Sequence, residues 1–109
     1  MEPLPKMQVA VLATVARLGK AGYGVTITDE VSKREGREVA YGSVHVILSR
    51  LVDGGLVKAT MGEPTAERGG RRKRYYEVTG AGQSALQHAW SHSNDTFAGL
   101  SWLPKPVEA

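Results

Sequence analysis

Five cations fall within seven positions, Arg68, Arg71, Arg72, Lys73 and Arg74, in a chain of 109 residues whose net charge is only +3. Guanidinium and ammonium groups this close together are suited to neutralising phosphates and releasing the counterions around them. Glu63 and Glu67 offset the cluster only in part. A solvated charged loop is the plain alternative for such a run, so the cluster needs a second feature beside it. Catalysis finds little support. The carboxylates are scattered among Lys and Arg as surface pairs, and no nucleophile and base are visibly teamed. Gly22-Tyr23-Gly24 and Gly80-Ala81-Gly82 lack the spacing of phosphate loops. His88 and His92 stand four apart, a helical spacing for a divalent metal, but a site needs three or four ligands. No cysteine is present to complete one or to form a disulfide. No metal and no cofactor are implied.

The second feature is the segment that precedes the basic cluster. Val44, Ile47, Leu48, Leu51 and Val52 recur at i, i+3, i+4, i+7 and i+8, which makes one core-facing stripe on a helix from about Gly42 or Ser43 to Asp53. Its other face carries Gly42, Ser43, Val46, Ser49, Arg50 and Asp53, small or polar enough to approach another surface, with His45 at the boundary. Gly54-Gly55 stops it. Two helices come before. The first runs from about Lys6 to Leu18, with a stripe of Val9, Leu12, Ala13 and Ala16 and another of Met7, Val11, Val15 and Leu18. The second runs from about Val25 to Glu35, with Ile27 and Val31 buried and Thr26 with Asp29 as a capping box, or a start two residues earlier. After the third helix come a strand at Leu56–Met61, a loop, and a strand at Arg72–Val78 with Tyr75 and Tyr76 on opposite faces. Thr79 caps a last helix from about Ala81 to Ser93 or beyond, and the rest, through Trp102, Pro104 and Pro106, is a tail.

Helix, helix, helix, strand, strand, helix describes a mainly α fold with a small β-hairpin, the order of a winged helix-turn-helix. In that architecture a helix enters the major groove and the hairpin lies on the adjacent backbone. Four runs also resemble the PadR family of transcriptional regulators. Ala21-Gly22-Tyr23-Gly24-Val25 is similar to the family's Gly-Tyr segment. Gly42-Ser43-Val44-His45-Val46-Ile47-Leu48-Ser49-Arg50-Leu51 is similar to its recognition helix, Gly-Thr-Leu-Tyr, two variable residues, Leu, one variable residue, Arg-Leu. Gly55-Leu56-Val57 resembles the start of the first wing strand, and Arg74-Tyr75-Tyr76-Glu77-Val78-Thr79-Gly80-Ala81-Gly82 the second strand and the turn into the last helix. The resemblance spans about Val9 to Trp90. It implies a bacterial repressor that binds a pseudo-palindromic operator in double-stranded DNA as a homodimer. Ser43, His45, Val46, Ser49 and Arg50 would face the groove, and Arg68, Arg71, Arg72, Lys73 and Arg74 the phosphates. Where the family usually has tyrosine, this chain has His45, which either donates to a phosphate, coupling affinity to pH, or fills the tyrosine's space half-buried. Arg50 likewise either reads DNA or braces the fold through an acid.

Two apolar stripes on the first helix predict that one of them, with Val11 and Val15, meets a partner subunit, joined by Leu86 and Trp90 of the last helix. Residues 1–80 would then be the DNA-binding part and 81–109 the dimerisation helix and tail of one structural domain. The resemblance also makes a small-molecule inducer conceivable, with Trp90 as its aromatic wall. No apolar run reaches the roughly 18 residues of a membrane span, and the first residues lack the order of a signal peptide, so a cytoplasmic protein is expected. Two other classes fit the same pattern: a winged helix that binds an acidic protein partner, and an RNA binder, for which Tyr75 is the one exposed aromatic on a sheet.

Overall fold

The structure, a computed structural model, describes residues 4–62 and 73–92. Helix α1 (Lys6–Leu18) is followed by a 3₁₀ turn (Gly19–Ala21), α2 (Gly24–Glu35), α3 (Tyr41–Asp53), β1 (Val57–Met61), β2 (Arg74–Val78) and α4 (Gly80–His92). The expected order holds, with a mainly helical body and one antiparallel hairpin in the register Val57↔Val78 to Met61↔Arg74. A bridge between Tyr23 and Tyr75 adds a third short segment, and the Tyr76 backbone N–H donates to the Gly22 carbonyl at 2.8 Å. The chain entering α2 is therefore stitched to the wing.

Helix α1 is the axle of the domain. Seven successive residues, Val9 to Val15, are buried, because α2, α3, β2 and α4 all pack around it. Each such Leu or Val removed from water contributes roughly 1.5–3 kcal/mol. Thr14, the polar member of this run, donates from its hydroxyl to the Ala10 carbonyl at 2.7 Å, so no polar atom is stranded. This enclosure corrects the reading of two stripes. Val11 and Val15 are closed over by their own chain and offer nothing to a partner. Leu86 is likewise in the core, with Ala85 beside it. The small domain covers α1 on all sides because four different elements converge on it, an outcome that a single-helix periodicity does not reveal.

The start of α2 follows from Thr26. Its hydroxyl accepts from the Tyr23 backbone N–H at 3.0 Å and donates to the Ala21 carbonyl at 2.6 Å, so the helix opens at Gly24 and Asp29 takes no part. Gly36 ends it at φ 71°. The Ser32 hydroxyl then accepts from the Val39 N–H at 2.9 Å, fixing the turn into α3. Thr79 caps α4 as expected, its hydroxyl accepting from the Gly82 N–H at 3.1 Å and donating to the Gly55 carbonyl at 2.6 Å. A β-carbon at position 82 would run into the Leu56 carbonyl and the Val78 side chain. Glycine there lets α4 lie directly on the hairpin.

Candidate nucleic-acid interface

Helix α3 divides cleanly. Val44, Leu48 and Leu51 are buried, Ile47 and Val52 pack against the same core, and the opposite side is open. On that open side Gly42, Ser43, His45, Val46, Ser49, Arg50 and Asp53 are all exposed. The five residues expected to face a groove therefore share one surface of one helix. His45 is exposed, which removes the reading of a half-buried imidazole. Arg50 is exposed too, and among the described residues it forms no ion pair, so no acid braces it there.

One member of this surface was missed in the sequence. Tyr41 is the first residue of α3 and is 54% exposed, its ring stacked on His45 at 6.4 Å between centroids and 11° between planes. Its hydroxyl crosses to α2, where a β-carbon on Gly24 would sit 2.5 Å from it. An i, i+4 aromatic pair was the available signal. It was hidden because Ala40, the residue before the helix, is no side-chain cap.

Beside α3 stands the hairpin. The Gly62 N–H donates to the Lys73 carbonyl at 2.7 Å, carrying the pairing one step beyond the strands. Lys73 holds its Nζ 4.6 Å from the centroid of the Tyr23 ring, and Tyr23 meets Tyr75 edge-on at 5.6 Å. Arg74 is exposed and lies 5.8 Å from the Tyr76 ring, so the two cations that open β2, Lys73 and Arg74, rest on aromatic faces. Arg68, Arg71 and Arg72 lie outside the described residues, as do the tail and Trp102. Burial pushes the Tyr76 phenol above its ordinary range. A clamp from Glu30 joins α1 and α2: it accepts from Arg34 Nε at 2.8 Å and lies 3.5 Å from Arg17 Nε. The Arg34 hydrogen bond holds the Glu30 carboxyl below its ordinary 4.5. Trp90, on α4, is 36% exposed. Among the described residues there is no cluster of three or more metal-ligating side chains, and no helix is long and apolar enough to cross a membrane.

Three helices followed by a two-stranded wing, with α3 open on one side, define the class of the fold as a winged helix-turn-helix. The sequence model of the Transcriptional regulator PadR-like family matches residues 11–88, and the chain belongs to that family. The family is one of regulators rather than enzymes. Solved structures agree on the fold. A PadR family transcription regulator from Clostridium difficile R20291 is similar with a TM-score of 0.65 and 20% identity, over 80% of this chain and 85% of that one. A PadR-like transcription factor from Bacteroides fragilis is similar at 0.65 and 22%, over 84% and 86%. Bacillus subtilis PadR, solved in complex with operator DNA, is similar at 0.64 and 22%, over 94% of this chain and 54% of that one. No curated protein sequence matches the chain at a significant level.

Proposed function

We propose that the protein is a cytoplasmic repressor that binds a pseudo-palindromic operator in duplex DNA as a homodimer. The observation that carries this reading is the open face of α3, where Ser43, His45, Val46, Ser49 and Arg50 are exposed together while the opposite stripe is locked in the core. Such a helix presents hydroxyl, imidazole, methyl and guanidinium groups at the width of the major groove. The wing flanks it. Lys73 and Arg74 at the start of β2, together with Arg68, Arg71 and Arg72 that precede them in the sequence, supply the phosphate grip. The Bacillus subtilis relative in complex with operator DNA supports duplex DNA as the partner.

Dimerisation rests on α4, because α1 has no free apolar stripe. Trp90 is the exposed aromatic of α4 and serves as the anchor of the second copy. An inducer, where there is one, acts at that contact by changing the separation of the two α3 helices. The test is a mobility shift with duplex DNA from upstream of the protein's own gene, with single-stranded DNA and RNA as competitors. A shifted duplex that resists both competitors supports the reading. Capture by RNA, or no shift at all, would replace it with RNA binding or with recognition of an acidic protein.

A further inference from the structure

Val46 lies in the middle of the open face of α3 and is 49% exposed. Folding does not account for it. Half in water, a β-branched residue inside a helix stabilises neither core nor helix, and alanine would be the better helix former. Its neighbours along the face, Ser43 three residues before and Ser49 three residues after, are exposed and short. Their size lets the helix axis approach a surface closely and leaves the two valine methyls as the most prominent apolar point between them. A β-branched side chain on a helix is also held in one rotamer, so those methyls stand at a fixed place. At the edge of a base pair in the major groove the one apolar group is the C5-methyl of thymine.

We infer that Val46 reads a thymine C5-methyl in each half-site, which makes it a specificity-determining residue of the α3 surface. The inference rests on the duplex-DNA reading above and deepens it by naming what this position selects. Burying one methyl against another is worth about fourfold in affinity. Ser43 and Ser49 would accept several bases, whereas Val46 would discriminate by a group that only one base carries.

The experiment begins with the full chain and a pool of random-sequence DNA duplexes, from which bound sequences are selected. The enriched duplex is then resynthesised with deoxyuridine in place of each thymine in turn, which removes the methyl and keeps every hydrogen-bonding group. One thymine per half-site is expected to matter, with about fourfold weaker binding of its deoxyuridine form by wild-type protein. Val46→Ala, which should melt no lower than wild type because the side chain is outside the core and alanine is the better helix former, is expected to bind both forms equally. An enriched duplex whose deoxyuridine forms all bind as tightly as the parent would overturn the inference and leave DNA recognition standing. A loss of equal size in wild type and Val46→Ala would overturn it as well, since the methyl would then be read elsewhere. A pool in which no duplex is retained would overturn the duplex reading, and this inference with it.

Discussion

Helices α1 and α3 are the same length, 13 residues, and both are rich in Val and Leu, yet they end in opposite situations. In α1 seven consecutive residues are buried, whichever side of the helix they point from. In α3 only Val44, Leu48 and Leu51 are buried, and they share one stripe. The difference lies in how many elements reach each helix. Helix α1 is ringed by α2, α3, β2 and α4, while α3 has its packing on one side and is left open on the other. One is a scaffold and the other a surface. Substitutions in α1 should therefore act on stability, and substitutions on the outer face of α3 on binding.

The largest effect is expected where the ring around α1 is tightest. Leu12→Ala leaves a cavity among fully buried neighbours and should cost about 2–5 kcal/mol in urea denaturation. A cost under about 1 kcal/mol would mean that α1 is not enclosed. Next in size is Gly82→Ala, which drives a β-carbon into the Leu56 carbonyl and should cost about 1–3 kcal/mol by the same measurement. Arg50→Ala should show the reverse pattern: specific DNA binding weaker by about 1–3 kcal/mol in fluorescence anisotropy, with the melting temperature unmoved. A lower melting temperature would return Arg50 to a bracing role.

The smallest effect concerns the clamp between α1 and α2. The folded Glu30 carboxyl has its affinity for protons lowered, so its contribution is present above pH 4.5 and is lost as pH falls below that value. The Arg17 side chain is 41% exposed, so screening keeps the gain at neutral pH below about 1 kcal/mol. Glu30→Gln should flatten the acid limb of the stability profile and barely change the neutral value. Urea midpoints at pH 3 and pH 7 would show this, and an unaltered acid limb would mean that the clamp does not couple to folding.

Much of this was legible in the sequence for a physical reason. The order of elements follows from local periodicity and caps, and α1, α3 and the Thr79 cap lie where those signals placed them. The open face of α3 was legible because its polar positions alternate with a clean apolar stripe. What local patterns do not encode is convergence. Val11, Val15 and Leu86 read as apolar but gave no hint that one chain would cover them. Tyr41 was lost in a link without a capping residue, and the Tyr23–Tyr75 bridge joins segments some fifty residues apart. The two wing strands were legible as strands and the basic run as charge, but nothing local showed that Lys73 and Arg74 would be held against the Tyr23 and Tyr76 rings.

The central claim is that the outer face of α3 is the surface that meets duplex DNA. Ser43→Glu combined with Ser49→Glu tests it most directly, by fluorescence anisotropy on a duplex from upstream of the gene together with thermal melting. Both serines are exposed, so the fold should be retained. Two carboxylates facing phosphates and base edges should then weaken binding by about a hundredfold or more. A double variant that melts like wild type and binds the duplex as tightly would contradict the claim.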